Sequence, residues 1–408
     1  MREVLLGALK AALTQCHPYR LTRAAVPELI APTILAAGKA AGPMLQAALE
    51  QFPDAPGFGV TRYGHGQDLG RFPLLEAGHP LPDSQSFAAG ARALELARSL
   101  GPQDTLLVLL SGGGSAVMAA ALGIDQTEKI ALTEALLASG ATIGEINCVR
   151  KHVSSIKGGR LALAAYPARV IALALSDVPG DHPASIASGP VVADPSSYEE
   201  ALTVLEHYQV DRPKTRAFLA AGARGDYPET PKPGDPRIAK VEFRIIGKNR
   251  DLLTAAARFL ELRGLPCRIL TDRYQGSAQE LARAHGRLLS WTTAPMALLS
   301  GGEASVAVTG AGQGGRNLEF LLWLLLMTEK PNFWALAADS DGIDGNSGVA
   351  GAIITPDSRE RARWLGLDPQ EFLRRHDSKS FFASLGDLVV TGPTQNNLND
   401  FRLVINVS

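Results

Sequence analysis

An α/β fold in two domains is predicted by three features of the sequence. Short continuous apolar runs alternate with helical patterns along the whole chain, which argues for parallel strands crossed by helices. Leu106–Leu110 runs through Ser111-Gly112-Gly113-Gly114-Ser115 into a helical pattern at Ala116, the strand–glycine–helix order of such sheets. The stretch at 224–240, which opens RGDYPETPKPGDPR, carries several prolines and few large apolar residues, and so reads as a linker or long surface loop. Residues 1–235 are therefore expected to form a doubly wound, Rossmann-like parallel sheet. Residues 236–408 are expected to form a second α/β domain with a more mixed sheet.

The elements follow in order. Helical spacing covers 2–15 and 43–51, with apolar strands at Pro32–Ala37 and Gly57–Arg62. Glu76–Asp83 is too rich in Gly and Pro for regular structure. Helix 84–99, strand 105–110, helix 115–121 and helix 125–139 come next, then the basic string Lys157-Gly158-Gly159-Arg160 and strand 169–175. Past the break, strands are read at 241–247, 266–270, 296–299, 304–309, 333–338 and 350–354, and near 387–391 and 402–407. Helices are read at 249–263, 277–292, 316–328 and 357–366. Ser111-Gly112-Gly113 is echoed by Ser300-Gly301-Gly302, each expected as a turn at a strand end.

With 408 residues, 46% hydrophobic, the chain can bury a large core. Its 40 basic and 41 acidic residues leave a net charge of −1, which predicts no general attraction to nucleic acid or an anionic membrane. Cys16, Cys148 and Cys267 have neither metal nor redox spacing, and a sparse, odd set fits a reducing, cytoplasmic compartment. No stretch reads as a signal peptide or membrane span. A monomer or homodimer is expected.

Ligands of open α/β sheets bind outside the carboxyl ends of strands, so the loops there hold the candidates. Ser111–Ser115 offers bare backbone N–H groups and a helix start, an arrangement suited to phosphate. Gly38-Lys39 resembles the end of a P-loop, but Thr33 stands where its first glycine belongs and Ala40 where Ser or Thr should be. Asp177 and Asp181 flank a turn, and magnesium needs few protein oxygens when nucleotide phosphates supply the rest. Asp339-Ser340-Asp341-Gly342-Ile343-Asp344-Gly345 starts like a calcium loop but lacks its closing Glu. Gly310–Gly315 fits GxGxxG, with an expected strand before it and a helix after, which raises the rival of a nicotinamide-dependent enzyme. The histidines are scattered and suggest no nucleophile–base pair.

Taken together these strings resemble the glycerate 2-kinase family, some of whose members are labelled hydroxypyruvate reductase. The resemblance rests on Gly38-Lys39-Ala40, Gly78-His79-Pro80, Ser111–Ser115, Asn147-x-x-Arg150-Lys151-His152, Lys157-Gly158-Gly159-Arg160 and Ser176-Asp177-Val178-x-Gly180-Asp181. It continues with Gly301-Gly302-Glu303, Gly314-Gly315-Arg316-Asn317, Asp341-Gly342-Ile343-Asp344-Gly345 and Thr391-Gly392-Pro393-Thr394, in order over nearly the whole chain. After Thr394 the family pattern reads Gly-Thr-Asn, where this chain has Gln395-Asn396-Asn397.

The resemblance implies ATP-dependent phosphorylation of D-glycerate at its 2-hydroxyl, with Mg2+, in a cleft between the domains. It points to Lys39 and Arg316 as the basic pair at the transferring phosphoryl. Asp177 is implied as base or metal ligand, with Asp181 beside it for magnesium. Ser111, Gly112, Gly113, Gly114, Ser115, Arg150, Lys151, Lys157, Glu303, Asn317, Asp341 and Asp344 are implied as substrate- or nucleotide-binding. Two alternatives stay open: an NAD(P)-dependent hydroxypyruvate reductase using Gly310–Gly315, and a non-catalytic nucleotide- or phosphosugar-binding module.

Overall fold

Runs apolar at every position become strands buried on both faces, as parallel strands covered by helices must be. The computed structural model describes residues 1–329 and 332–407. Its first sheet contains β1 (Thr33–Ala37), β2 (Gly57–Arg62), β3 (Leu74–Ala77), β4 (Thr105–Leu110), β5 (Arg169–Leu175) and β6 (Val241–Gly247), in the order β3-β2-β1-β4-β5-β6. β3 through β5 run parallel, with Thr33 opposite Leu106 and Ala37 opposite Leu110. This is the order of a doubly wound sheet. Its direction of winding reverses between β1 and β4, where such sheets place their ligands.

The second sheet contains β7 (Cys267–Ser277), β8 (Met296–Ser305), β9 (Phe333–Asp339), β10 (Gly351–Ile354), β11 (Leu388–Val389) and β12 (Asp400–Asn406), ordered β11-β10-β9-β12-β8-β7. β7 and β8 are parallel and every other pair is antiparallel, so this sheet is mixed, as expected. The last strand lies near the middle, buried at all seven positions.

The chain divides into two compact units, Pro18–Ile246 and Met1–His17 with Gly247–Ser408. Three local features set this division apart from the expected break at 235/236. Helix Arg2–Gln15 packs on helix Asn249–Glu261 so closely that a Cβ on Gly7 would lie 2.6 Å from the Phe259 ring. The proline-rich stretch is no free linker: Asp194 N–H donates to Pro231 O (2.9 Å), and Glu229 accepts from Tyr198 N–H (2.8 Å). β6 then joins the edge of the first sheet.

Two further expectations are corrected. The strands read at 296–299 and 304–309 are one strand, β8, which passes through Gly301 and Gly302 and stops at Ser305. There the glycines serve a register shift against β7 and a close approach to Asn249, not a turn. The helix read at 115–121 is a single turn, Gly114–Val117. The Ile143–His152 string forms a helix, begun by reciprocal Thr142 and Glu145 bonds, and it packs with Tyr198, Leu205 and Leu219 in a small core of its own.

Candidate active site

The two loops at the β1/β4 switch point are bonded to each other. Lys39 N–H donates to Gly112 O (2.8 Å), Ala40 N–H to Ser111 Oγ (3.0 Å), and Ser111 N–H to Ala37 O (3.0 Å). Gly38 has φ +129°, and a Cβ there would fall 2.3 Å from Ser111 Oγ, so only glycine fits. Gly113 has φ +81°, with the His79 ring and the Lys39 stem about its α-carbon; a Cβ would lie 3.0 Å from His79 and 3.3 Å from Lys39. Among the described residues, no protein acceptor meets the Gly112 and Gly113 N–H groups. The anion-binding reading of this loop therefore narrows to two amides, with little help from a four-residue helix.

Behind the loop the predicted cations form a buried layer. Lys157 Nζ (2.7 Å) and Arg150 (3.3 Å) both donate to the Ser115 carbonyl, and Lys129 Nζ donates to Val153 O (2.6 Å). Among the described residues, none of the three has a carboxylate partner. Burial, with Arg150 nearby, pulls the Lys129 ammonium down to about 7; burial lowers Arg150 to about 10 and takes Lys157 well below its ordinary range. Lys151 instead pairs with buried Asp194 at 3.1 Å. Ser115 Oγ lies 2.6 Å from Ser188 Oγ, which donates to Asn147 Oδ1 (2.8 Å). Ala187 and Ser188 take φ of +50° and +60°, strained for residues with a Cβ. Asp177 and Asp181 are half-buried in the loop after β5, Asp181 at φ +56°.

Arg316 opens helix Arg316–Met327 and is held by carboxylates on three sides. Its Nε donates to Asp400 (2.8 Å), its Nη2 to Asp339 (2.8 Å) and its Nη1 to Glu303 (3.3 Å). Two of its five N–H donors are left over. Asp400, at the start of β12, also accepts from Asn317 Nδ2 (2.7 Å) and from Arg402. Burial pushes the Asp400 carboxyl up, but Arg402 and Arg316 outweigh it and hold the group below the ordinary value. Asp339 is driven well above its ordinary value, first by burial and then by Asp341. For Arg316 the three carboxylates overcome burial and raise the pKa further.

Asp344 is a helix clamp. It accepts from Asn317 N–H (3.1 Å) and Leu318 N–H (2.9 Å), and burial raises it to about 6. Asp341 accepts from Ile343 N–H (2.9 Å). The sequence reading missed Asp400 and Arg402; their only signal was two charges at alternate positions in an otherwise apolar strand.

Gly310–Gly315 does not form a dinucleotide cradle. β8 ends five residues earlier, at Ser305, so the expected preceding strand is missing. A Cβ on Gly310 or Gly312 would lie 2.5 Å from the Arg375 carbonyl. Three of the loop's amides are used within the protein: Gly312 N–H donates to Arg375 O (3.0 Å), Gln313 N–H to Asp377 (3.3 Å) and Gly314 N–H to Asn346 Oδ1 (2.8 Å). These glycines let two segments of chain approach each other.

Residues 4–220 match a family described as a domain of unknown function (DUF4147), and residues 296–400 match the MOFRL family. A D-glycerate 2-kinase of Thermotoga maritima is 36% identical, over 98% of this chain and 97% of that protein. The chain belongs to the glycerate kinase family. A crystal structure of glycerate kinase from Thermotoga maritima matches with a TM-score of 0.89 at 35% identity, covering 99% of each chain. A protein of Agrobacterium vitis named as a hydroxypyruvate reductase is 42% identical, over 99% of this chain and 94% of its own, so both names occur among the relatives. Within this glycerate kinase family member, the Gln395 departure has a physical side. Gln395 adopts φ +58°, a left-handed conformation easiest for the glycine of the family pattern. Its neighbour Asn396 ties the loop down by donating to Cys16 O (3.0 Å).

Proposed function

We propose that the protein is a glycerate 2-kinase, transferring the terminal phosphoryl group of ATP to the 2-hydroxyl of D-glycerate. The observation that carries this reading is Arg316, locked by Asp339, Asp400 and Glu303 with two N–H donors to spare, in a chain aligned end to end with a D-glycerate 2-kinase. A guanidinium fixed this way is oriented before substrate arrives, and electrostatic stabilisation works through such preorganised donors.

In the proposed reaction the 2-hydroxyl oxygen attacks the terminal phosphorus and its proton passes to Asp177. A new O–P bond forms as the bond to the β-phosphate oxygen breaks, releasing ADP. Arg316 is suited to neutralise phosphoryl charge, and Lys39 with the Gly112 and Gly113 amides is suited to hold an anionic oxygen. Asp181, a hard carboxylate on the same half-buried loop as Asp177, suits Mg2+, which takes one or two such ligands beside substrate phosphates. Bound there, the ion would supply charge neutralisation for the nucleotide phosphates. Three unpaired thiols suit a cytoplasmic enzyme, and among the described residues no helix is long and apolar enough to cross a membrane.

The first test is ADP release with D-glycerate and formation of 2-phosphoglycerate, with no NADH oxidation on hydroxypyruvate; the reverse result would reinstate the reductase. The second is substitution of each basic residue. Lys39→Ala and Arg316→Ala should each lower turnover about 10²–10³-fold. A folded variant that keeps more than about a tenth of wild-type turnover would remove that residue from the reaction.

A further inference from the structure

Two adjoining cavities lie in the unit built from Gly247–Ser408. One, of about 430 Å³, is bordered by Arg316, Gly312, Gly315 and Asn346. The other, of about 500 Å³, is bordered by Trp323, Leu373 and Ala278, with Gln279 and Gln370 among its polar groups. Ser305, Val306, Glu319 and His376 line both, so the two are chambers of one recess. Each volume falls within the range of small-ligand sites.

The chambers differ in chemistry. The first holds the Arg316 guanidinium with donors to spare, while the second combines an indole, aliphatic walls, two side-chain amides that can both donate and accept, and Arg374 at its border. At their junction Glu319 spends one oxygen on His376 Nδ1 (2.7 Å), and among the described residues no protein donor meets the other. Glu319 is only 5% exposed and burial raises its carboxyl above the ordinary value, so its second oxygen is a positioned acceptor facing the recess. His376 Nε2 in turn reaches Thr309 Oγ1 (3.2 Å), which ties the irregular segment after β8 to this wall.

We propose that the Trp323 chamber takes the purine nucleoside end of the phosphoryl donor. The ribose hydroxyls donate to Glu319, and the phosphates run through the first chamber to Arg316. This rests on the kinase reading of Arg316. A flat base with a hydrogen-bonding edge matches the indole and the two amides, a vicinal diol matches a buried acceptor, and the polyphosphate matches the guanidinium end.

The test is titration of ADP, and separately of inorganic tripolyphosphate, into the wild type, Trp323→Ala and Gln279→Trp, each checked by thermal melt. Trp323→Ala removes the stacking face. Gln279→Trp fills the chamber from a half-buried helix start and serves if the first variant fails to fold. ADP affinity should fall about tenfold or more in each folded variant, the scale of a lost base–aromatic stack, with tripolyphosphate binding unchanged. In the coupled assay KM for ATP should rise with KM for D-glycerate unmoved. Equal ADP affinity in wild type and variants overturns the proposal, as does a rise in KM for D-glycerate alone. Should the wild type bind ADP, lose it in both variants and yet phosphorylate no D-glycerate, the chamber stands and the kinase reading falls.

Discussion

The β1/β4 loops and the Arg316 cluster reach similar readiness for an anion by opposite means. At the first, backbone does the work: two glycines, two spare amides, and a layer of buried basic side chains, Lys129, Arg150 and Lys157, that have no carboxylate partner among the described residues. At the second, side chains do it, with one guanidinium clamped among three carboxylates and Arg402 balancing Asp400 from behind. The first site is sensitive to shape and gathers basic side chains whose burial disfavours their charge; the second is sensitive to charge pairing and gathers carboxylates around one guanidinium. A net charge of −1 conceals both. Local charge at a site is thus set by which residues the fold brings together, not by overall balance.

The contrast is broken most directly at Arg316. Arg316→Lys should fail nearly as badly as Arg316→Ala, by about 10²–10³ in turnover, because a single ammonium cannot span Asp400, Asp339 and Glu303 as a planar fork does. Turnover at saturating substrates, with folding checked by melting, decides it; a Lys variant keeping more than about a tenth of activity would show that charge alone suffices there.

The shape-sensitive site is probed by Gly113→Val. With φ at +81° and His79 against the α-carbon, a β-branched residue should distort the loop at a strain of about 1–3 kcal/mol. Turnover should drop on the order of 100-fold with the circular dichroism of the whole protein unchanged. Near-normal turnover would reduce the glycine loop to a simple turn.

The buried cations make a smaller, pH-dependent prediction. The folded Lys129 titrates at about 7, below its ordinary 10.5, so between those values the unfolded chain holds more protons. Its contribution to stability is fully present above 10.5 and is lost as pH falls through about 7, with a slope of at most about 1.4 kcal/mol per pH unit. Lys129→Met should remove that slope, measured as the wild-type-minus-variant difference in unfolding free energy at pH 7 and pH 9.5. A pH-independent difference would mean that Lys129 stays charged in the fold.

The smallest effect sharpens the other side. Glu303 is the outer member of the Arg316 clamp, 49% exposed, whereas Asp400 is fully buried. Glu303→Gln should cost no more than about 1 kcal/mol, or roughly fivefold in kcat/KM. A loss comparable to that of Arg316→Lys would give Glu303 a direct role in the reaction.

What could be read in the sequence follows the same divide. β1, β4 and β5 were legible because burial on both faces leaves an uninterrupted apolar run, and the glycine loops mark their carboxyl ends. Lys39 and Arg316 stood beside glycines and could be named. Asp400 could not, since its role depends on β12 inserting between β8 and β9, a pairing that no local pattern states. Gly301-Gly302 looked like a turn because a glycine pair inside a strand and one between strands have the same composition. The break at 224–240 was real in composition, yet Glu229 and Pro231 bond it to its own unit.

Helix Arg2–Gln15 belongs with residues beyond 246, so the chain between 17 and 247 is an insertion within the unit that contains it. On the ribosome this helix emerges before its partner helix Asn249–Glu261, which must wait for the intervening residues, roughly 10–50 s at ordinary elongation rates. Fourteen residues make a marginal helix by themselves. For that interval the apolar stripe of Leu5, Ala8, Leu9 and Ala12 has no wall to lie against. The nascent chain thus carries an exposed adhesive stretch while the inserted unit is synthesised, a period in which a holding chaperone has something to grip.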